Sequence, residues 1–395
     1  MRVGIFTESY EPVRNGVAVS VSTLIHELRA LRHHVCVIAP HYPGHRDRSP
    51  FVLRVPSILT RANAEYPVPY PWFPRLRREI QRLHLDVLHS QTPWFLGLLA
   101  ARTSKQHHIP HVSTYHTLYD HYAHYLFFLP EHATQNLIEW WLPEFYNQCD
   151  CVIVPSRVAA ESLKSYGIRA PIEVVPTGIP IPPAEATSPG AVWEVRKRYG
   201  IPHDAPLLLY VGRIAKEKSV DRVIEAFGII AGHMPHAYLL IVGGGPYLDS
   251  LRQTAEKEPA GDHIIFAGPL PRTALDTIYA AADLFLFGSS TETQGLVVGE
   301  ARAAGTPAVV VRDGGAGETV RHGEDGLLVD ANAEAMANAA LEVLSNPRRL
   351  AQMADACRKN ALELTPSAMA QRVVGVYHFA IEAHNSQRRL VRASS

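Results

Sequence analysis

Seven residues separate Glu292 from Glu300 in STETQGLVVGEA. The first carboxylate follows the apolar run DLFLFGS (283–289) and so falls in a strand-end loop; the second falls inside the helix that should come next. Gly295 and its neighbours would form the N-terminus of that helix, where free N–H groups and the helix dipole attract an anion. A buried Glu300 one or two turns further on could accept hydrogen bonds from vicinal hydroxyls, as carboxylates do with ribose. Glu292 could likewise hold a sugar hydroxyl. Taken singly, both would be ordinary surface carboxylates; the glycine-rich setting argues against that. A second segment, YVGRIAKEK (210–218), ends a strand at Gly212 and then supplies Arg213 and Lys218. Fixed cations at a strand end suit a diphosphate, because a departing phosphate needs its developing charge neutralised. By itself this segment reads as a charged surface turn, and it gains weight only beside the first.

Three further clusters call for weighing. His116, Asp120 and His124 stand at i, i+4 and i+8, which on a helix would line one face and could hold a metal. The chain has 21 histidines, so such alignments arise by chance, and no D-x-D triplet is present to hold a nucleotide-bound ion. The expectation is therefore that no metal or other cofactor is needed. Cys149 and Cys151 read as structural cysteines at the start of a strand. The triplet Gly243-Gly244-Gly245 follows a strand and lets its loop bend close to a ligand.

The elements that must position these residues are legible as short apolar runs. VGIFT (3–7), VCVIA (35–39), FVLRV (51–55), DVLHS (86–90), HVSTY (111–115), CVIVP (151–155) and IEVVP (172–176) lie in the first half. LLLYVG (207–212), AYLLIVG (237–243), HIIFAG (263–268), DLFLFGS, PAVVV (307–311) and GLLVD (326–330) lie in the second. Near-continuous apolar runs mark strands buried on both faces of a parallel sheet. Helical periods lie between them, such as 20–32 and 155–167, the latter with Ser156 as N-cap and Gly167 as stop. PTGIPIPPAEATSPG (176–190), with five prolines, continues neither sheet nor helix and reads as a linker. The pattern predicts an α/β protein of two doubly wound Rossmann-like domains, 1–180 and 190–368, facing a central cleft. A long helix over 366–384 precedes an arginine-bearing tail, and the 370–395 segment is expected to pack back on the first domain.

Length and charge agree with this. A chain of 395 residues exceeds what one core usually supports. Four scattered cysteines cannot make a disulfide framework, and no apolar run reaches 18 residues. The opening MRVGIFTESYEP is already a strand and a polar loop, so a cytoplasmic protein is expected. The formal charge is zero, with 38 basic and 38 acidic residues, but it is split. Residues 1–110 hold 14 Lys and Arg against 7 Asp and Glu, a net of +7, leaving 24 against 31, or −7, in the rest. RLRREIQR (75–82) concentrates the positive charge.

GRIAKEKSVDRVIEAF, then VGGGP, then TETQGLVVGEARAAGTPAVV, in this order and spacing, resemble the C-terminal domain of family-4 retaining glycosyltransferases of GT-B architecture. The resemblance covers nearly the whole chain. It implies that Arg213 and Lys218 bind the diphosphate of a nucleotide-sugar, Glu300 the ribose, and Glu292 hydroxyls of the transferred sugar. Gly295 and Leu296 would give backbone N–H groups, Gly243 and Gly244 would lie by the nucleotide, and Gly16 of RNGVAVSV would approach the diphosphate. Gln294, where many relatives carry an aromatic residue, together with YHTLYDHYAHY (115–125), is similar to the diacylglycerol glucosyltransferase branch. On that likeness His116 contacts the donor sugar near the reaction centre.

The implied activity is transfer of a hexose, glucose from a UDP-sugar, to a hydroxyl acceptor such as diacylglycerol. Two other readings stay open: a transferase using GDP-mannose with a soluble or polyprenyl-linked acceptor, and a non-catalytic sugar-nucleotide-binding protein. A lipid acceptor implies peripheral attachment to the inner face of the cell membrane. Trp72 and Phe73, with Tyr66 and Tyr70 in a proline-rich loop, then Arg75, Arg77 and Arg78, fit rings at headgroup depth and cations among anionic lipids. The plain alternative is a core aromatic cluster beside a solvated helix face. A pI near 7.4 argues against nucleic acid as partner.

Overall fold

A computed structural model of the chain describes residues 1–13, 15–47, 49–60, 63–70, 74–117 and 131–394. The chain divides into two compact units, Met1–Gly178 with Pro366–Ser395, and Ile179–Thr365. No helix among the described residues is long and apolar enough to cross a membrane.

Unit 1 begins with β1 (Arg2–Phe6), α1 (Gly16–Ala30), β2 (His34–Pro40) and β3 (Val52–Val55). An antiparallel hairpin follows, β4 (Ser57–Thr60) and β5 (Asn63–Pro69), and then α2 (Pro74–Arg82). The alternation resumes with β6 (Val87–Ser90), α3 (Phe95–His107), β7 (His111–Thr114), α4 (Glu131–Tyr146), β8 (Cys151–Val154), α5 (Arg157–Ser165) and β9 (Ile172–Val174). Among the described residues the large sheet is parallel and ordered β3-β2-β1-β6-β7-β8-β9. The order reverses between β1 and β6, which makes their carboxyl ends a topological switch point.

The hairpin corrects the sequence reading. The stretch around Tyr66 to Phe73 was expected to be an exposed loop, because prolines cannot donate to a ladder. Pro67 and Pro69 instead lie buried in β5, one strand of a two-stranded sheet, where each has an edge side that needs no donor. Tyr70 is exposed, whereas Trp72 and Phe73, and the side chains of Tyr66 and Arg75, lie outside the described residues.

Unit 2 runs α6 (Pro189–Arg198), β10 (Leu207–Val211), α7 (Val220–His233), β11 (Tyr238–Val242), α8 (Leu248–Ala255), β12 (Ile264–Gly268), α9 (Arg272–Ala281), β13 (Leu284–Phe287), α10 (Leu296–Ala303), β14 (Ala308–Val311), β15 (Gly326–Val329), α11 (Ala333–Leu344) and α12 (Pro347–Ala361). Its described strands form a parallel sheet ordered β12-β11-β10-β13-β14-β15, so the switch point falls between β10 and β13. β10, β13 and β14 are buried at every position, which is why they read as unbroken apolar runs. The proline-rich stretch read as a linker contains the boundary between the units, yet Ile179 within it is packed. Its N–H donates to the Leu364 carbonyl (2.7 Å), and its side chain lies against Gly299, where a Cβ would come within 2.8 Å of it.

The chain then returns to unit 1 through α13 (Pro366–Ser394). Met369, Ala370, Val373, Val376, Tyr377 and Ala380 share a core with Val21, Leu24, Ile25 and Leu28 of α1. Cys149 and Cys151 are buried in two separate apolar clusters of unit 1 and are unpaired thiols.

Candidate active site

In unit 2 three strand-end loops are laced together through backbone. Gly212 N–H donates to Val242, Ile214 N–H to Gly244, and Gly243 N–H to Gly268, each at 3.0 Å. Glycine is required for this closeness. A Cβ on Gly243, whose φ is +146°, would come within 1.9 Å of the Gly212 carbonyl oxygen, and one on Gly245 within 2.1 Å of that of Ile214. The glycine triplet thus serves loop-to-loop approach, and Gly244, by contrast, has room for a Cβ. At Gly212 a Cβ would meet the Tyr210 hydroxyl, so its lack of a side chain accommodates Tyr210.

These loops set the cations. Arg213 is exposed directly after β10, and Lys218 closes a short 3-10 turn, Lys216–Lys218. Across the switch point Lys218 Nζ pairs with Glu292 Oε1 at 2.7 Å, both side chains being largely shielded. Glu292 lies in the loop between β13 and α10, and its carbonyl is fixed by Gly315 N–H (2.8 Å). Gly295 occupies the N-cap of α10 with φ +71°, where a Cβ would press on Ala316. Gln294 is buried beside it, and Leu296 opens the helix.

Glu300 lies on α10 with its side chain 12% exposed. Its Oε2 accepts from the Tyr279 hydroxyl (2.8 Å), and its Oε1 stands 3.3 Å from the Arg272 guanidinium, which also pairs with Asp276. Burial raises the Glu300 pKa, while Arg272 and the Tyr279 hydrogen bond oppose the rise. Burial, with Glu300 next to it, holds the Tyr279 phenol well above its ordinary range. Arg272 and Tyr279, both on α9, were not anticipated. Nothing in their local sequence marks them, since the partner that gives them meaning is 21 or more residues away.

Unit 1 places its polar groups at the ends of β1, β6 and β7. Asn15 caps α1 by accepting from Ala18 N–H (2.8 Å), so Gly16 is the first residue of that helix and is exposed. Glu8 lies just after β1, a strand end that no local motif marks. It accepts from Leu96 N–H (2.7 Å) at the start of α3, a helix that its N-cap residue, Trp94, does not cap through the side chain, and the Thr92 hydroxyl donates to its other oxygen. Burial raises its pKa to about 7, against the lowering effect of the Leu96 N–H. His116 lies in the loop after β7; Asp120 and His124, the other members of the i, i+4, i+8 set, lie outside the described residues. His116 Nε2 is 2.8 Å from Gln91 Oε1. Burial lowers the pKa of His116 to about 4, and those of His89 and His111 to about 3. His89 bridges the Tyr377 hydroxyl and Thr114 Oγ1, each at 2.7 Å, tying α13 to the sheet. In α2, Arg77, Arg78 and Arg82 are exposed while Leu76 and Ile80 are buried.

Comparison with known proteins accounts for both units. Residues 14–181 match the family model described as Glycosyltransferase Family 4, and residues 191–363 that described as Glycosyl transferases group 1. An alpha-monoglucosyldiacylglycerol synthase of Acholeplasma laidlawii is 31% identical over 94% of this chain and 94% of its own. A GDP-mannose-dependent alpha-(1-6)-phosphatidylinositol monomannoside mannosyltransferase of Mycolicibacterium smegmatis is 29% identical over 91% of this chain and 93% of its own. Among solved structures, Anabaena HepE in complex with UDP superposes with a TM-score of 0.74 at 19% identity, covering 95% of this chain and 99% of that one, a likeness of fold. With both halves matched and a 31% identical relative covered almost end to end, the chain belongs to the group 1/family 4 glycosyltransferases and has their GT-B fold.

Proposed function

We propose that the chain moves a hexose, glucose from a UDP-sugar, to the hydroxyl of a membrane lipid such as diacylglycerol, with retention of anomeric configuration. The observation that carries this reading is the unit 2 switch point, where Lys218 and Glu292 face each other at 2.7 Å and Arg213 stands exposed directly after β10. Arg213 and Lys218 hold the donor diphosphate and stabilise the charge that grows on it as the glycosidic bond breaks. Glu292 accepts hydrogen bonds from sugar hydroxyls, Glu300 from the ribose, and the backbone around Gly295 and Leu296 presents N–H groups. The acceptor oxygen bonds to the anomeric carbon on the face the diphosphate leaves, and the departing phosphate oxygen takes the acceptor proton. No metal or cofactor enters, because the fixed cations supply the charge.

A lipid acceptor is supported by the similarity to the glucosyldiacylglycerol synthase and by α2. That helix turns Leu76 and Ile80 inward and Arg77, Arg78 and Arg82 outward, a cationic face for anionic headgroups at the cytoplasmic membrane surface. GDP-mannose is the second donor reading, favoured by the mannosyltransferase relative. The test is incubation with vesicles of varied anionic content containing diacylglycerol, with UDP-glucose, UDP-galactose or GDP-mannose, before and after exhaustive EDTA. We expect an α-glucosyl lipid from UDP-glucose, more product on anionic vesicles, and no loss on chelation. Turnover of GDP-mannose alone would replace the donor, and no glycolipid from any donor would reject the reading.

A further inference from the structure

Gln91 directly follows β6 and begins the loop to α3, beside the switch point of unit 1. Four contacts fix that loop. Gln91 N–H donates to the Phe6 carbonyl at 2.8 Å, Trp141 Nε1 donates to the Pro93 carbonyl at 3.2 Å, and Thr92 donates to Glu8. Gly97 completes the set, since a Cβ there would stand 2.0 Å from the Thr92 carbonyl oxygen. The side chain of Gln91 is 2% exposed, and one end of its carboxamide is taken by His116. The other end, Nε2, is buried and has no hydrogen-bond partner among the described residues. A buried amide donor without an acceptor is costly, so a loop held on four sides that keeps one there calls for an acceptor from outside.

We propose that Gln91 is a substrate-contacting residue whose Nε2 donates a hydrogen bond to a hydroxyl oxygen of the substrate at the carboxyl ends of β1, β6 and β7. This rests on the transferase reading above. The chemistry of the surroundings selects a neutral partner. His116, on the far side of the carboxamide, is neutral, as are His89 and His111 in the strands beside it. Both oxygens of Glu8 are engaged, by Leu96 N–H and by the Thr92 hydroxyl. A phosphate would find no cation among these groups, whereas a hydroxyl needs none. The hydroxyl can belong to the transferred sugar or to the acceptor, and the two are separable.

The experiment uses the full chain with the nucleotide-sugar it turns over. Two rates are compared between the native protein and Gln91→Met, which keeps length and removes hydrogen bonding: donor hydrolysis without acceptor, and transfer with acceptor. Loss of one hydrogen bond realised with substrate predicts a fall of about fivefold or more in kcat/KM. If the hydroxyl is on the donor sugar, hydrolysis and transfer fall together; if on the acceptor, transfer falls and hydrolysis is kept. Gln91→Glu, assayed above neutral pH where its carboxyl is ionised, still accepts from a His116 N–H but cannot donate, and gives the same pattern should Gln91→Met fold poorly. Rates within twofold of native in both assays, with an equal or higher melting temperature, overturn the proposal, because they are what removal of a purely structural orphan amide would give. Absence of turnover by the native protein with any donor rejects the transferase reading, and the proposal falls with it.

Discussion

The two switch points of this molecule are built from opposite materials. In unit 2 the ends of β10 and β13 carry Arg213, Lys218 and Glu292, while Glu300, on the helix after β13, pairs with Arg272 of α9. In unit 1 the ends of β1, β6 and β7 carry Glu8, Gln91 and His116, and burial pushes the two titratable members toward their neutral forms. The same topology therefore presents fixed charge in one place and, in the other, hydrogen-bonding groups whose charged forms burial disfavours. A diphosphate matches the first; hydroxyls match the second. Fold topology gives each unit a ligand-binding edge, and the residues there decide what kind of ligand it takes.

The sharpest way to break this comparison is acid. A histidine whose pKa is lowered by burial binds its proton only when unfolded, so its contribution to stability is full above the model-compound value of 6.5 and is lost as pH falls. For His89 and His111 the window runs from 6.5 down to about 3, and for His116 down to about 4. Glu8 acts in the opposite sense. Its raised pKa gives stability that is full below 4.5 and lost as pH rises through about 7. Three groups outweigh one, and at about 1.4 kcal/mol per pKa unit the net acid loss is on the order of several kcal/mol. Hydrogen exchange read segment by segment should show the strands of unit 1 losing protection at a higher pH than those of unit 2. His89→Gln, which removes one titration, should lower the acid midpoint of unit 1. Simultaneous opening of both units, unmoved by that variant, would contradict this account.

The next effect belongs to unit 2 alone. Arg213→Ala and Lys218→Ala each remove a charge-assisted hydrogen bond that strengthens as the diphosphate departs. A loss of roughly 1.5–3 kcal/mol is about one to two decades in turnover, with circular dichroism and melting temperature near native. Lys218→Ala should be the more severe, because it also strips Glu292 of its 2.7 Å partner. Near-native turnover in both variants would remove the charge half of the comparison.

What the sequence displayed and what it hid divide along the range of the contacts involved. The strands buried at every position, β10, β13 and β14 above all, show as apolar runs, because burial on two faces leaves nothing polar to interrupt them. Glu292, Gly295 and Glu300 stand out as candidates because one loop and the helix after it hold all three, so spacing alone groups them. The β4–β5 hairpin was hidden by prolines that an edge tolerates. Glu8 meets Leu96 across 88 residues and Gln91 meets His116 across 25, so no local pattern announces either. Their only signal was position: each follows directly on a strand that the sequence displays, where ligands of such sheets bind.

The smallest expected effect sharpens the comparison from inside the charged site. Tyr279 is fully buried, and its hydroxyl donates to Glu300 Oε2 at 2.8 Å, while Arg272 approaches the other carboxylate oxygen at 3.3 Å. The tyrosine therefore aims a carboxylate that we assign to the ribose, a part of the donor remote from the bond that breaks. Tyr279→Phe keeps the ring and its contact with Phe285, and removes only the aiming bond. Binding to the ribose is the same in the ground and transition states, so its loss should raise the donor KM and leave kcat alone. The expected rise is about three- to tenfold, the worth of one hydrogen bond of roughly 0.5–1.5 kcal/mol. Glu300 itself should become easier to protonate, since the hydrogen bond that lowers its pKa is gone while the burial that raises it remains. The rise in KM should therefore grow as the assay is made more acidic, a pH dependence that a mere packing defect would not produce. A fall in kcat with KM unchanged would instead place Glu300 at the reacting bond, and the division of labour argued for unit 2 would have to be redrawn.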